Sequence, residues 1–265
     1  MDIAFSGEKR LDSPAVSVRD RSFLLGDGCF ETLRVTDGKV EGVDEHLALL
    51  HRSAEVLSIT GLPVDTVLKT AIAELVTKAG VDASLRITLS RGAGGRGADA
   101  GDSPPVTVLS LFPGAGPHPL APLNTITSSI LRNDTSPITQ IKPTNYADNL
   151  AARREAVEAG ADEALLLNTK GRPACFAMAN LFLVLSDGTW VTPPPSEGIR
   201  PGYMRAKTLD SLTSRQHPIA IRPVEIEELT EPGGRLFASN SLWGLRPVAR
   251  LDSHTYQVSM APFEA

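Results

Sequence analysis

Cysteine is scarce in this 265-residue sequence: only Cys29 and Cys175 occur, far apart and without the close spacing of metal ligands. Both are expected as reduced thiols of a cytoplasmic protein rather than as a disulfide. The five histidines are scattered and form no HxH or HExxH cluster, which argues against a metal site. No apolar run approaches the roughly 18 residues that a membrane span needs. The N-terminal stretch MDIAFSGEKRLDSP lacks a basic region followed by an apolar one, so no signal peptide is expected. There is no excess of positive charge either. The net charge is −5 with both signs mixed along the chain, unlike the basic stripe that nucleic-acid binding requires. What remains is the composition of an ordinary globular protein, 42% hydrophobic and 22% charged, long enough for one large domain or two modest ones.

The pattern along the chain mixes helix and strand. Cys29 to Val35 reads as a strand ending at the turn Asp37-Gly38, and Glu45 to Ile59 as a helix closed by Gly61 and Pro63. A second helix is expected from Val64 to about Ala79, stopped by Gly80. Leu85 to Ser90 and Pro105 to Phe112 read as strands around the loop Arg91 to Gly101, which holds five glycines. The stretch PGAGPHPLAP, 113–122, favours extended connecting backbone, and a domain boundary is expected there, giving domains 1–115 and 122–265. Beyond it come a helix from Asn149 to Glu158, a strand from Glu163 to Asn168, a hairpin around Ser186-Asp187-Gly188 and a helix from Gly202 to Leu212. Helices and strands without strict βαβ alternation predict an α+β fold.

Lysines are few, and Lys142 stands out among them. It follows ITQI and precedes Pro143, so it is expected at a strand end in extended backbone. Desolvation of such an amine favours its neutral, nucleophilic form; taken alone, the position also fits a solvated lysine at a sheet edge. The glycine-rich SRGAGGRG lacks the lysine-threonine ending of a phosphate-binding loop. Its arginines, Arg91 and Arg96, together with Arg86, suit paired hydrogen bonds to a carboxylate, or simply a solvated loop. Asn240-Ser241 supplies small polar donors at a turn, suited to a phosphate or to the turn itself.

Several segments in order change this picture. They are VRDRSFLLGDGCFETLRV, EHLALLHRSAEVL, LSRGAGGRG, IKPTNYADNLAARREAVEAGADEALLLN, ANLFLV, TPPPSEGIRPGYMR and SNSLWGLRPV. From Val16 to Val248 the chain resembles the class-IV (fold-type IV) pyridoxal-phosphate (PLP) enzymes, which include branched-chain and D-amino-acid aminotransferases and 4-amino-4-deoxychorismate lyase. The resemblance implies two α/β domains, a homodimer, cofactor PLP and Lys142, on the C-terminal domain, as the Schiff-base lysine. It implies that Tyr203, Met204, Asn240 and Ser241 contact the cofactor phosphate and that Asn180 lies at the cofactor. Arg86 and Arg96 resemble the substrate-carboxylate anchors of the lyase branch, and Glu31 resembles a substrate-binding position of the transaminase branch.

The chain departs from the family pattern twice. Cys175 stands where most members carry the glutamate that bonds the pyridine nitrogen, and a neutral thiol supplies no charge there. Leu49 stands where an arginine usually pairs with the phosphate, with His51 or Arg52 as substitutes. Glu31 and Tyr146 resemble the transaminases; the glycine loop, Arg86 and SNSLWGLRPV resemble the lyase. The resemblance thus implies an aminotransferase moving an amino group from an amino acid or amine to a keto acid. The alternatives are the lyase, releasing pyruvate and 4-aminobenzoate, and a degenerate paralogue that binds without turnover.

Overall fold

A computed structural model describes residues 1–95, 97–114 and 121–258. Two compact units form: the described part of Met1–Gly116 together with Ile141–Tyr146, and the described part of Pro117–Gln140 together with Ala147–Ala265.

In the first unit, six strands among the described residues make one antiparallel sheet: β1 (Asp2–Ser6), β2 (Lys9–Arg10), β3 (Gly28–Thr36), β4 (Lys39–Val40), β5 (Ala83–Ser90) and β6 (Val106–Pro113), in the order β2-β1-β6-β5-β3-β4. Strand alternation divides β3 and β5 into two faces. Leu33 and Val35 of β3 and Leu85, Ile87 and Leu89 of β5 enter a core with Leu47 and Leu50 of α2 (Val43–Val56) and Leu68, Ile72 and Leu75 of α3 (Asp65–Ala79). The opposite face carries Phe30 paired with Thr88, and Thr32 paired with Arg86. A short helix, α1 (Arg21–Leu25), precedes β3; the Asp20 side chain caps it and Gly26 closes it at φ 68°. The helix expected from Glu45 to Ile59 runs instead from Val43 to Val56, because Leu57 caps it and Ser58 turns into the left-handed region at φ 53°.

The second unit is built on nine strands among the described residues: β7 (Leu123–Thr127), β8 (Glu163–Leu167), β9 (Pro173–Phe176), β10 (Asn180–Val184), β11 (Trp190–Thr192), β12 (Ile219–Ile221), β13 (Arg235–Asn240), β14 (Gly244–Leu251) and β15 (His254–Thr255). They follow the order β12-β11-β10-β13-β14-β7-β8-β9, with β15 beside β14. Strand β9 also pairs with β10 through Cys175 and Asn180, so part of the sheet closes on itself. Helix α4 (Ala147–Glu158) packs small residues, Ala152 and Ala156, against Ala164 and Leu166 of β8. Helix α5 (Tyr203–Ser214) covers the Trp190–Phe237 cluster through Leu212.

The Lys142 segment corrects two expectations. It is not a strand end: a 3-10 turn, Pro137–Gln140, comes first, and Lys142 then runs in extended backbone beside β3. Nor does it belong with the C-terminal domain, since Ile141–Tyr146 groups with the first unit. The cause is hydrogen bonding: Phe30 N donates to Lys142 O at 2.9 Å and Thr144 N donates to Gly28 O at 2.9 Å. Gly26 makes this approach possible, because a Cβ there would lie 2.6 Å from Asn145 Cβ.

Candidate active site

Lys142 is half-buried on the helix-free face of the first sheet. Its Nζ lies 3.4 Å from Tyr146 Oη, 4.6 Å from the centre of the buried Phe30 ring and 5.0 Å from the Tyr146 ring. The two rings meet edge to face, their centroids 5.4 Å apart. Arg86 completes the group. Its guanidinium lies over Phe30, with Cζ 3.5 Å from the ring centre, and its Nε donates to Thr88 Oγ1 at 2.9 Å. Burial pushes the Arg86 guanidinium downward from its ordinary value, with Tyr146 acting in the opposite sense. Stacking and the Thr88 bond fix the fork of Arg86 beside a lysine amine, an arrangement suited to a molecule that carries both a carboxylate and a reactive nitrogen or carbonyl. Phe30 and Thr88 were not singled out by sequence reading. Their signal was the two-residue alternation that sets Phe30 opposite the core-facing Cys29 and Glu31.

Glu31 is a correction. It is fully buried on the other face of β3, where its Oε2 bonds His46 Nδ1 of α2 at 2.9 Å. Alternation along β3 turns it away from Phe30, so it does not join the Lys142 group as a substrate contact. Arg52 is exposed on α2, while His46, Leu47, Leu50, Ser53 and Ala54 form the helix's buried side. Arg96 lies outside the described residues.

In the second unit, Cys175 and Asn180 are direct neighbours across the β9–β10 pair. Burial pushes the Cys175 thiol upward, against the opposing pull of Arg132, so the thiol stays neutral. Asn180 Nδ2 donates to Arg200 O at 2.8 Å, just before Gly202 leads into α5. Tyr203 and Met204 form the first turn of α5, which carries no side-chain cap, leaving its first amides suited to an anion. Asn240 Nδ2 donates to Met178 O, and its Oδ1 accepts from Leu242 N and Trp243 N, holding the turn that presents Ser241. Next to it, Ser239 Oγ is buried without a hydrogen-bond partner among the described residues, an orphan that a ligand oxygen would satisfy. Within the first unit, the half-buried Lys142 amine suits an aldehyde. Within the second, the uncapped α5 start and the orphan Ser239 hydroxyl suit a phosphate. PLP carries both groups. Among the described residues no group of histidine, cysteine and carboxylate side chains could hold a metal ion, and no helix is long and apolar enough to cross a membrane.

Comparison with known proteins agrees with this chemistry. The family profile described as Amino-transferase class IV matches residues 28–251. A provisionally named branched-chain-amino-acid aminotransferase of Methanocaldococcus jannaschii is 29% identical over 250 residues, 89% of this chain and 83% of the relative. D-alanine aminotransferase of Bacillus licheniformis is 28% identical over 260 residues, 96% of this chain and 90% of the relative. The crystal structure of 4-amino-4-deoxychorismate lyase from Pseudomonas aeruginosa superposes with a TM-score of 0.85 at 30% identity, covering 99% of this chain and 95% of that one. The chain therefore belongs to the class-IV aminotransferase family of PLP-dependent enzymes and has their fold-type IV, α+β architecture.

Proposed function

We propose that this protein is a transaminase that moves an amino group from an amino acid to a keto acid, with PLP held covalently by Lys142. The observation that carries the reading is the cluster of Lys142, Tyr146, Phe30 and Arg86 on one face of the first sheet. When bound, PLP supplies the electron-withdrawing ring that takes up the electron pair left by loss of an α-proton. The Lys142 amine would remove that proton as general base. Tyr146 Oη, 3.4 Å from Nζ, keeps the amine in position. The buried Phe30 ring keeps water from one side of it. Arg86 grips the substrate carboxylate through its two terminal nitrogens, with Arg96 as the second anchor that the lyase resemblance implies.

On the second unit, the first amides of α5 at Tyr203 and Met204, with Asn240 and Ser241, suit the phosphate. On the family pattern Cys175, beside Asn180, would face the pyridine nitrogen and supply it no carboxylate. Glu31, buried against His46, drops out of the reading, whereas Arg52 stays a proposed contact for the phosphate in place of the usual arginine. We take the enzyme to work as a homodimer in the cytoplasm, where both cysteines remain reduced; sedimentation of the purified protein checks the dimer.

The 30% identity to the lyase structure over nearly the whole chain favours a second reading, aminodeoxychorismate cleavage, on the same residues. Acceptor dependence separates the two. Transamination without a keto acid stops after one equivalent of product per active site and resumes when the acceptor is added. Pyruvate released from aminodeoxychorismate over many turnovers without acceptor, with amino acids inert, would replace the transaminase by the lyase.

A further inference from the structure

We propose that Arg21 is the positioning residue of the glycine loop: gripping Asp27 on one side and three loop carbonyls on the other, it fixes the loop in the form that receives the substrate carboxylate. The last clause rests on the proposed function, which makes this loop a carboxylate-binding element; the grip itself rests on geometry. The Arg21 side chain is only 7% exposed. Its Nε donates to Asp27 Oδ2 at 2.8 Å, its Nη1 to Gly97 O and Asp99 O at 2.9 Å each, and its Nη2 to Ala98 O at 3.3 Å. The loop is also tied to the backbone beside Arg21, where Arg21 N donates to Gly92 O and Gly94 N to Arg19 O. A Cβ on Gly94 would lie 2.6 Å from Arg21 Cδ, so the loop passes over the arginine stem at a residue without a side chain. Among the described residues of 97–104, no backbone–backbone bond ties the loop to the sheet, and the guanidinium supplies that tie.

Asp27 connects this grip to the rest of the site. It also accepts from Arg91 Nε at 2.7 Å and Nη2 at 3.1 Å, and Arg91 Nη1 donates to Ser58 O just beyond α2. Burial pushes the Asp27 carboxyl up, but the bonds from Arg91 and Arg21 outweigh it and hold the group below its ordinary value, as an anion. The neighbouring Gly28 O accepts from Thr144 N in the Lys142 segment. The Asp27 carboxylate thus ties the glycine loop to the end of α2, and the backbone next to it, at Gly28, bonds the Lys142 segment. A planar fork is needed: an ammonium has one nitrogen and cannot reach Asp27 and three carbonyls lying in different directions.

The test uses the full-length, PLP-loaded protein with Arg21→Lys and Asp27→Asn. Amide hydrogen exchange over 92–104 should quicken by about tenfold or more in Arg21→Lys. The KM for amino-acid donors should rise by about tenfold with kcat within about twofold, and the KM for amine donors lacking a carboxylate should hold. Asp27→Asn, which keeps the shape and removes the charge, should move both in the same direction by less, and it decides the matter if Arg21→Lys does not fold. A folded variant with wild-type loop exchange and wild-type donor KM overturns the proposal, as does a fall in kcat at unchanged KM. Wild-type protein inert toward amino donors would count against the proposed function, while loop exchange would still decide the role of Arg21.

Discussion

Replacing Glu163 by glutamine should make the protein more stable at alkaline pH and about 1 kcal/mol less stable at acid pH, where the native carboxyl is neutral. Glu163 opens β8 and is almost wholly buried; its Oε1 accepts from Ala164 N at 2.9 Å, and its Oε2 has no partner among the described residues. Burial raises its pKa from 4.5 to about 7, opposed by the Ala164 amide and by Arg153 of α4. Cys175, Arg246 and Asp162 are the other titratable groups that bear on this region. A folded pKa above the unfolded one means that the native state keeps a proton the unfolded chain gives up. The contribution is therefore intact below about pH 4.5 and is lost as pH rises through about 7. A rise of roughly 2.5 in pKa, at about 1.36 kcal/mol each, costs about 3.4 kcal/mol when the carboxylate is fully ionised. A buried amide with one unmatched donor returns about 1 kcal/mol of that. Glu163→Gln should therefore gain about 2 kcal/mol at pH 8.5, or roughly 4–8 °C in melting temperature for a chain of this size. Melting both proteins from pH 5 to 8.5 measures the difference directly. A variant offset that does not change with pH would refute the buried, proton-holding Glu163.

The other expectations bear on the site. Arg86→Ala should raise the KM for amino acids by about 100-fold or more, equivalent to about 3 kcal/mol for a charged, paired hydrogen bond, while amines lacking a carboxylate change little. Equal effects on both would assign Arg86 to packing on Phe30. Cys175→Glu should slow PLP loss during dialysis, by giving the pyridine nitrogen an anionic partner. Unchanged retention in a folded variant would mean that Cys175 does not face the ring.

Local chemistry made much of the fold legible. Gly80 stops α3 where the sequence predicts, and the alternation through Leu85 and Ile87 marks β5. The limits were non-local. α1 is five residues long and depends on the Asp20 cap and the loop carbonyls around Arg21, which no periodicity announces. β1 is an edge-adjacent strand paired to β6 across about a hundred residues, so its five-residue signal is weak. At the site, motif order singles out Lys142 but not its surroundings: Arg86 reaches Phe30 only through the β3–β5 register. The same register sends Glu31, one residue from Phe30, to the opposite face, a distinction that motif resemblance does not make. No local signal marks Arg21, because its partners are carbonyls more than seventy residues away.

The central claim is that Lys142 carries the cofactor. Borohydride reduction of protein supplied with PLP, followed by peptide mapping, should find one pyridoxyl group, on the peptide containing Lys142, and none in Lys142→Ala. A pyridoxyl group on another lysine, or none on the wild-type protein, would contradict it.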